Sequence, residues 1–393
     1  MKKNLLKEAD MEKMKKRLLV IGGVAAGPKA AAKARRCDPE MEIVVYQEEE
    51  EISYAGCGLP YYISGVVKER KELLSRTAGQ FAQDGIRIKK HRRIEEIDIA
   101  KRTISSRNLD SDETFTDRYD RLVIATGAQP IRPKIEGLEL KNVFYLRSIF
   151  DADAIVERIR TEDIRNVVIA GGGYIGLEMA ESLVQLGKKV TIVELAPQIL
   201  TLFDEDFAGI LHQHLEKKGV RIFTSEGIKA LRGEDGRVTQ VQTASQEIGT
   251  DAVLMGLGIR PQVDLARKIG LRIGETGAIW VNERMETSAE GIYAAGDCAE
   301  TIHLVTGKRV WIPPGSTANK QGRVVGVNVC GGNAIFPGVM GTTIFKTFDF
   351  NVAKTGLGMR EAEKESFHPV QAIVRGYARA HYYPGGKEST LKV

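Results

Sequence analysis

The sequence predicts an α/β protein with two Rossmann-like dinucleotide-binding domains, the second inserted into the first, followed by a C-terminal α+β domain. Two strand–glycine turn–helix patterns about 150 residues apart and a later Gly-Asp pair support this fold class. The 41 glycines of the 393-residue chain cluster after short β-branched runs. The predicted parts are a charged extension (1–16), the first domain (17–127), the second domain with its linkers (128–270), the remainder of the first domain (271–334) and a C-terminal domain (335–393).

The first pattern spans residues 17–36 and is typical of a buried strand, a glycine turn and an alanine-rich helix. Such a turn presents free backbone N–H groups to a pyrophosphate. Its glycines are Gly22 and Gly27, with Val24 in the place of the middle glycine. The next predicted strand ends near Gln47 and Glu48, and either side chain could hold the adenosine ribose.

The second pattern spans residues 165–195 and has all three glycines, Gly171, Gly173 and Gly176. Its second strand ends at Glu194, whose carboxylate can bind both ribose hydroxyls of NADH and repel the 2′-phosphate of NADPH. No lysine or arginine follows in residues 195–200. We therefore expect NADH to be favoured over NADPH.

Two further turns complete the set of motifs. Ala125-Thr126-Gly127 follows a short strand, where the chain would leave the first domain, and Gly296-Asp297 follows another. Together the four motifs resemble the flavoprotein family with two dinucleotide-binding domains, over about residues 17–330. The resemblance implies that FAD lies against Gly22, Gly27, Thr126, Gly127 and Asp297, and that NADH lies against Gly171, Gly173, Gly176 and Glu194.

The resemblance also implies further cofactor contacts. Tyr174 is similar to the family's gate residue, which swings off the flavin when nicotinamide arrives; an exposed aromatic that fills a turn is the alternative. The other implied cofactor contacts are Val24, Ala25, Gln47, Glu48, Ser53, Ala125, Ile175, Glu178, Gly258, Gly296 and Ala318.

Cys57 is the candidate catalytic residue. It precedes Pro60 in a segment that is typical of the first turn of a helix, and a helix N-terminus favours the thiolate, the reactive form of cysteine. A small apolar residue in a turn is the alternative. Related flavin disulfide reductases carry a second cysteine five positions earlier, where this chain has Ile52. Cys57 is therefore expected to cycle alone, as a mixed disulfide, persulfide or sulfenic acid.

Residues 52–63 resemble the single-cysteine branch (class III) of the pyridine nucleotide-disulfide oxidoreductases. This branch contains coenzyme A-disulfide, persulfide and polysulfide reductases, NADH peroxidases and NADH oxidases. Ala25 stands where the peroxidases and oxidases have a histidine, which favours reduction of a low-molecular-weight disulfide, persulfide or polysulfide, with coenzyme A derivatives as the leading substrates. An NADH oxidase or peroxidase, or a flavin-bearing redox sensor, remains the alternative. Gly56 replaces the asparagine often found beside the cysteine.

Two groups of residues are expected to serve substrate and partner. Lys29, Lys33 and Arg36 share one helix face and, with Ser53, match positions that bind coenzyme A in the resembled reductases; a solvated basic face is the alternative. Residues 335–393 resemble the start of the family's dimerisation domain, and this resemblance implies a homodimer. The chain is expected to stop in the middle of that domain. Tyr382 or Tyr383 is expected to reach the partner's cysteine, with core packing as the alternative.

Composition excludes other classes. The net charge of +5 is small beside 57 basic and 52 acidic residues, so no nucleic acid partner is expected. No apolar run reaches the ~18 residues of a membrane span, and residues 1–17 lack a signal peptide, which predicts a cytoplasmic protein. His212 and His214 are the closest histidine pair and would point apart on a helix, so no metal is expected. We expect Cys298 beneath the flavin loop, and Cys37 and Cys330 as ordinary buried thiols.

Overall fold

The computed structural model describes residues 15–393, so most of the predicted charged extension lies outside the described residues. The first part of the chain begins with a strand, a helix and a parallel strand. Its elements are β1 (Arg17–Ile21), α1 (Ala26–Cys37), β2 (Glu42–Tyr46), α2 (Leu59–Ile63), α3 (Ala78–Gln83), β3 (Ile86–Lys89), β4 (Arg92–Asp98), β5 (Thr103–Asn108), β6 (Thr114–Arg118) and β7 (Arg121–Ile124).

The middle part contains a second strand, helix and parallel strand, which begin at β10. Its elements are β8 (Ala128–Pro130), β9 (Val143–Phe144), α4 (Ile149–Thr161), β10 (Asn166–Ala170), α5 (Tyr174–Gln185), β11 (Lys189–Val193), α6 (Glu205–Lys217), β12 (Arg221–Phe223), β13 (Ala230–Glu234), β14 (Arg237–Gln242), β15 (Glu247–Gly249), β16 (Ala252–Met255), β17 (Ile259–Pro261) and α7 (Asp264–Lys268).

The last part returns to the first sheet and ends in two hairpins. Its elements are β18 (Ile292–Ala294), β19 (Thr301–Ile302), β20 (Arg309–Val310), α8 (Gly315–Asn328), β21 (Thr343–Thr347), β22 (Phe350–Lys354), α9 (Met359–Lys364), β23 (Ile373–Tyr377) and β24 (Glu388–Lys392).

Two parallel sheets of five strands form the centre of the fold. The first has the order β18-β7-β1-β2-β3 and the second the order β12-β11-β10-β16-β9. Because β18 follows the whole second sheet in sequence and pairs with β7, the second sheet is inserted between strands of the first. The predicted α/β class with two Rossmann-type sheets is confirmed; the numerical domain bounds stay predictions.

The two halves share a further feature, a three-stranded antiparallel sheet: β4-β5-β6 in the first and β13-β14-β15 in the second. The central strands β1 and β10 are apolar and buried because helices cover both faces of a parallel sheet. Helix α1 packs between the first sheet and α8, with five alanines among its buried residues. Among the described helices, none combines the length and apolar character needed to cross a membrane.

The C-terminal hairpins differ in their contacts. The β21–β22 hairpin packs on α5, where the buried Glu181 accepts a hydrogen bond from the Phe348 amide at 2.7 Å and pairs with Lys346. The β23–β24 hairpin is largely exposed, and Lys392 near its end forms ion pairs of 3.0 Å with Asp204 and 2.9 Å with Asp206. The second hairpin is thus tied to the second Rossmann unit mainly through charge.

Candidate functional site

A cleft of about 2670 Å³ lies at the carboxyl ends of both parallel sheets. This edge is where ligands bind in open α/β sheets. Its lining contains these predicted site residues: Gly22, Val24, Ala25, Lys29, Arg36, Gln47, Glu48, Ser53, Cys57, Ala125, Thr126, Gly127, Gly173, Tyr174, Ile175, Glu178, Gly258, Gly296, Asp297 and Ala318. The other predicted site residues, Gly27, Lys33, Gly171, Gly176, Glu194, Tyr382 and Tyr383, do not line it.

The first glycine turn is shaped by close backbone contacts. Gly22 has φ +107°, and a Cβ there would lie 2.1 Å from the Ala125 carbonyl oxygen. A Cβ on Gly27 would lie 1.9 Å from the Gly22 carbonyl oxygen. Gly27 therefore packs α1 against the turn, while the half-buried Val24 and Ala25 face the cleft.

The end of β2 distinguishes Gln47 from Glu48. Gln47 is buried, and its Oε1 accepts a hydrogen bond from the Gly23 amide at 2.8 Å. Glu48 is exposed and pairs with Arg93. In the second half, Glu194 stands in the same relation to its own glycine turn, since it accepts a hydrogen bond from the Gly172 amide at 2.7 Å. Gln47 is thus the counterpart of Glu194.

The second glycine turn repeats the contacts of the first. Gly171 has φ +105°, and a Cβ there would lie 2.4 Å from the Gly256 carbonyl oxygen. A Cβ on Gly176 would lie 2.3 Å from the Gly171 carbonyl oxygen, whereas a Cβ on Gly173 would meet nothing within 4 Å. Open space over Gly173, at the N-terminus of α5, is what a pyrophosphate needs to approach the backbone.

Tyr174 is the first residue of α5 and is half-buried rather than exposed. Its ring contacts Phe345 of the β21–β22 hairpin edge to face, with 5.1 Å between centroids. Burial raises the pKa of its phenol. A movement of this ring would therefore break its contact with Phe345. The role of Tyr174 as a gate stays a prediction.

Asp297 is a half-buried acid that lines the cleft. Within residues 15–393 its carboxylate makes no hydrogen bond to the protein, and its main-chain oxygen accepts from Trp311 Nε1 at 2.8 Å. Burial raises the pKa of Asp297 to about 6, an effect that the nearby Arg147 opposes. A half-buried carboxylate that lines a cleft without a protein donor is suited to accept a hydrogen bond from a ligand hydroxyl.

Cys57 lies exposed in a tight 3₁₀ turn, Gly56–Gly58, that leads directly into α2. Two contacts fix this segment: the Ser53 amide donates to the Gly23 carbonyl at 2.8 Å, and Ser182 Oγ donates to the Pro60 carbonyl at 2.9 Å. Ser53 itself has φ +48°. The cysteine is therefore held between the first glycine turn and helix α5 of the second sheet.

Glu178 is a second perturbed acid in the cleft. Burial, and then the neighbouring Glu181, raise the pKa of Glu178 to about 7 from its ordinary value of 4.5. Since the folded chain favours the protonated carboxyl, the group contributes stability below pH 4.5 that is lost as the pH rises to 7. Its protonation state changes close to neutral pH.

We expect the Glu178→Gln variant to lack this part of the pH dependence. The melting temperature of the variant minus that of the native protein should increase between pH 4.5 and 7 and stay level above pH 7. Thermal unfolding of both proteins across this range measures the difference, which cancels contributions from other titrating groups. A constant difference would contradict the burial of an ionisable carboxyl at this position.

Two residues near the site escaped the sequence reasoning. Tyr61, one helical turn after Cys57, has a pKa raised by burial and then by Glu178 and Glu181, so its phenol stays protonated. Its i+4 spacing from Cys57 is a signal that could have indicated it. Arg147 lies in the cleft and donates to Glu49 at 3.2 Å, but nothing in its local sequence marks it.

The remaining candidates lie farther from Cys57. Lys29 and Arg36 line the cleft, whereas Lys33 packs along α8. Tyr382 and Tyr383 are 77% and 56% exposed, and within one chain the structure does not bring them to Cys57. Cys298 is fully buried beside the Ala295 and Ile124 carbonyls.

The prediction that Cys37 is a buried thiol is wrong. Cys37 is the last residue of α1 and is exposed, because the helix reaches the surface at this end. Cys330, predicted in the same way, is only half-buried.

Comparisons with known proteins agree with this geometry. A family model for pyridine nucleotide-disulphide oxidoreductases matches residues 16–322. The chain is 42% identical to an NAD(P)H sulfur oxidoreductase (CoA-dependent) of Pyrococcus abyssi over 97% of its length and 84% of the relative, and 38% identical to an NADH oxidase of Methanocaldococcus jannaschii over 96% and 84%. The solved structure of an NAD-dependent persulfide reductase from A. fulgidus matches with a TM-score of 0.92 and 41% identity, over 96% of this chain and 70% of that one. The chain therefore belongs to the pyridine nucleotide-disulphide oxidoreductase family.

Proposed function

We propose that this protein uses FAD and NADH to reduce a low-molecular-weight disulfide, persulfide or polysulfide at Cys57, with coenzyme A derivatives as the leading substrates. The observation that supports this most directly is the single cleft that contains Cys57, the first glycine turn, Asp297 and the N-terminus of α5. Similarity to a CoA-dependent sulfur oxidoreductase and to a persulfide reductase supports the same substrate class.

The cleft fits FAD on two counts. The half-buried Asp297 carboxylate lacks a protein donor, and the turn after Gly22 leads into the N-terminus of α1, which no side chain caps. We assign the pyrophosphate to the turn at Gly22, the ribose to Gln47 and a ribityl hydroxyl to Asp297. FAD supplies hydride uptake and two-electron release, chemistry that no side chain of the cleft has.

NADH is assigned to the second glycine turn, with its pyrophosphate over Gly173. Glu194 is held rigidly there, because its two carboxylate oxygens accept hydrogen bonds from the Gly172 and Ala196 amides, both at 2.7 Å. Its free lone pairs can accept the ribose hydroxyls, and its charge disfavours a 2′-phosphate.

Glu194→Gln should relax this nicotinamide preference. The amide keeps one oxygen for the turn but loses the negative charge, so we expect the NADH:NADPH ratio of kcat/KM to fall on the order of tenfold. Steady-state kinetics with both nucleotides measures the ratio, and Gln47→Ala, at the equivalent position of the first turn, should leave it unchanged. A native enzyme that already prefers NADPH would refute the assignment.

Cys57 is the sulfur relay in this proposal. Its thiolate attacks a substrate disulfide, forms a mixed disulfide and releases one thiolate; two electrons then cleave the mixed disulfide, release the second thiolate and regenerate Cys57. The exposed position of Cys57 admits such a substrate. Tyr61, one helical turn from Cys57, keeps its phenol proton and can donate a hydrogen bond to the leaving thiolate.

The basic face of α1 is assigned to the phosphates of coenzyme A. A Lys29→Ala/Lys33→Ala/Arg36→Ala variant should keep FAD and melt close to the native protein, yet show a KM for coenzyme A disulfide raised on the order of tenfold or more. Polysulfide, which has no phosphate, should keep its KM. A matched triple variant at Lys134, Lys189 and Lys229, exposed residues outside the cleft, should change neither constant. Equal changes in KM for both substrates would indicate that the basic face of α1 is only solvated and does not bind coenzyme A.

The rival activity is that of an NADH oxidase, a name carried by a relative with 38% identity. Ala25 offers no imidazole beside the cleft to serve a sulfenate at Cys57. Anaerobic turnover with coenzyme A disulfide and polysulfide, compared with aerobic NADH consumption, separates the two activities. Faster aerobic than anaerobic turnover would favour the oxidase.

We also propose that a second copy of the chain covers the exposed β23–β24 hairpin. This hairpin carries exposed apolar side chains, among them Val374 and Tyr377, next to the candidate residues Tyr382 and Tyr383. One of these tyrosines would then approach the partner's Cys57, as in the resembled reductases.

A further inference from the structure

Helices α1 and α8 run side by side at unusually short distance. A Cβ on Gly322 would lie 2.5 Å from the Ala26 carbonyl oxygen and 3.1 Å from the Lys29 Cβ. Four residues later, a Cβ on Gly326 would lie 2.6 Å from both the Ala30 carbonyl oxygen and the Lys33 Cβ. Because both contacts advance by four residues on each helix, the helices are parallel and in register here.

The same register continues to a pair of cysteines. One more step of four leads from Gly326 to Cys330, and from Ala30 to Ala34, whose carbonyl oxygen lies 3.6 Å from Cys330 Sγ. In both earlier steps, the residue three positions after the carbonyl presents its Cβ to α8. At this step that residue is Cys37, so the register places the two thiols next to each other.

The two thiols differ in accessibility. Cys37 is exposed at the end of α1, whereas Cys330 is half-buried, with its Sγ 3.5 Å from the Gly326 carbonyl oxygen. Burial, followed by the adjacent Cys37, raises the pKa of Cys330 to about 11. Cys37 is therefore the thiol that meets an external reagent first, and Cys330 is placed to react with it second.

We propose that Cys37 and Cys330 form a second redox centre: low-molecular-weight disulfides oxidise the two thiols to a reversible disulfide that joins the end of α1 to the turn just after α8. The Cys37 thiolate attacks one sulfur of the disulfide RSSR and releases RS⁻. The Cys330 thiolate then attacks Cys37 Sγ and releases the second RS⁻. The protein loses two electrons and RSSR gains them; the two protons of the cysteines pass to the released thiolates.

This centre acts on the helices that frame the cleft. Helix α1 begins at the first glycine turn, and α8 carries Ala318, which lines the same cleft. A bond between Cys37, at the end of α1, and Cys330, two residues after α8, closes a very long loop of chain and restricts the unfolded state. The oxidised protein should therefore melt at a higher temperature than the reduced protein, independently of any turnover at Cys57.

The experiment uses the Cys57→Ser protein, in which Cys37, Cys298 and Cys330 remain. After anaerobic incubation with oxidised glutathione, two of these thiols should be lost. Peptide mapping without reductant should find the segments of Cys37 and Cys330 joined, without a glutathione adduct, and dithiothreitol should separate them. The buried Cys298 serves as the internal control and should stay free.

Two further variants test the order of attack. Cys57→Ser/Cys330→Ser should retain glutathione on Cys37, because the second thiol is missing. Cys57→Ser/Cys37→Ser should keep the Cys330 thiol free, since its burial limits access. A stable glutathione adduct on Cys37 while Cys330 is present, a cross-link between two chains, or no loss of thiols would each overturn the proposal.

Discussion

Replacing Cys57 by serine should abolish the reduction of disulfide and polysulfide by NADH, with a loss of at least about a thousandfold in kcat. A serine hydroxyl neither forms a mixed disulfide nor accepts electrons, so the proposed relay of electrons from FAD to the substrate is removed. FAD and NADH should still bind, because their proposed contacts at Gly22, Asp297 and Glu194 are untouched. NADH should therefore still bleach the flavin absorbance under anaerobic conditions.

The matched control is Cys37→Ser, which alters another exposed cysteine outside the cleft. Under reducing conditions it should keep near-native turnover. Slow oxygen consumption by Cys57→Ser is compatible with the proposed relay, because oxygen can take electrons from reduced FAD without passing through residue 57. Sulfur reduction within tenfold of the native rate in Cys57→Ser would remove the cysteine from the mechanism and favour electron transfer that bypasses it.

The backbone of the site could be predicted from sequence because its constraints are local. Glycine is required where a Cβ would meet a carbonyl oxygen a few residues away, as at Gly27 and Gly176. At Gly22 and Gly171 the local constraint is the positive φ, which favours glycine whatever distant strand end also crowds the turn. Such positions recur at fixed spacing after a buried strand, so the motif indicates both the fold and the edge of the sheet where ligands bind.

Side chains whose surroundings come from distant segments could not be predicted in this way. Glu181 occupies an ordinary helical position, yet the β21–β22 hairpin, more than 160 residues later, buries it. The effect of Glu181 on the pKa of Glu178 therefore depends on tertiary packing. The prediction that Cys37 is buried fails for a related reason. An apolar residue at the end of a helix is buried only if the next element covers it.

Gly27→Ala should cause the largest structural loss of the substitutions considered, and should remove FAD from the purified protein. The new Cβ would lie 1.9 Å from the Gly22 carbonyl oxygen and 2.9 Å from Val20 Cγ1. The turn cannot retreat, because Gly22 is itself packed against the Ala125 carbonyl. We expect a loss of roughly 1–3 kcal/mol or more in unfolding free energy, together with displacement of the proposed pyrophosphate site.

Two alanine variants separate this effect from a general intolerance of methyl groups. Gly209→Ala, in α6, adds a Cβ with nothing within 4 Å and should leave stability unchanged or raise it by up to about 1 kcal/mol. Gly176→Ala places a Cβ 2.3 Å from the Gly171 carbonyl oxygen, so it reproduces the clash in the second turn. If the first turn holds FAD and the second holds NADH, Gly27→Ala should lose flavin absorbance. Gly176→Ala should instead keep that absorbance and lose its bleaching by NADH. The opposite pattern would indicate that FAD binds at the second turn and NADH at the first. Retention of both cofactors in both variants would indicate that neither cofactor binds at the glycine turns.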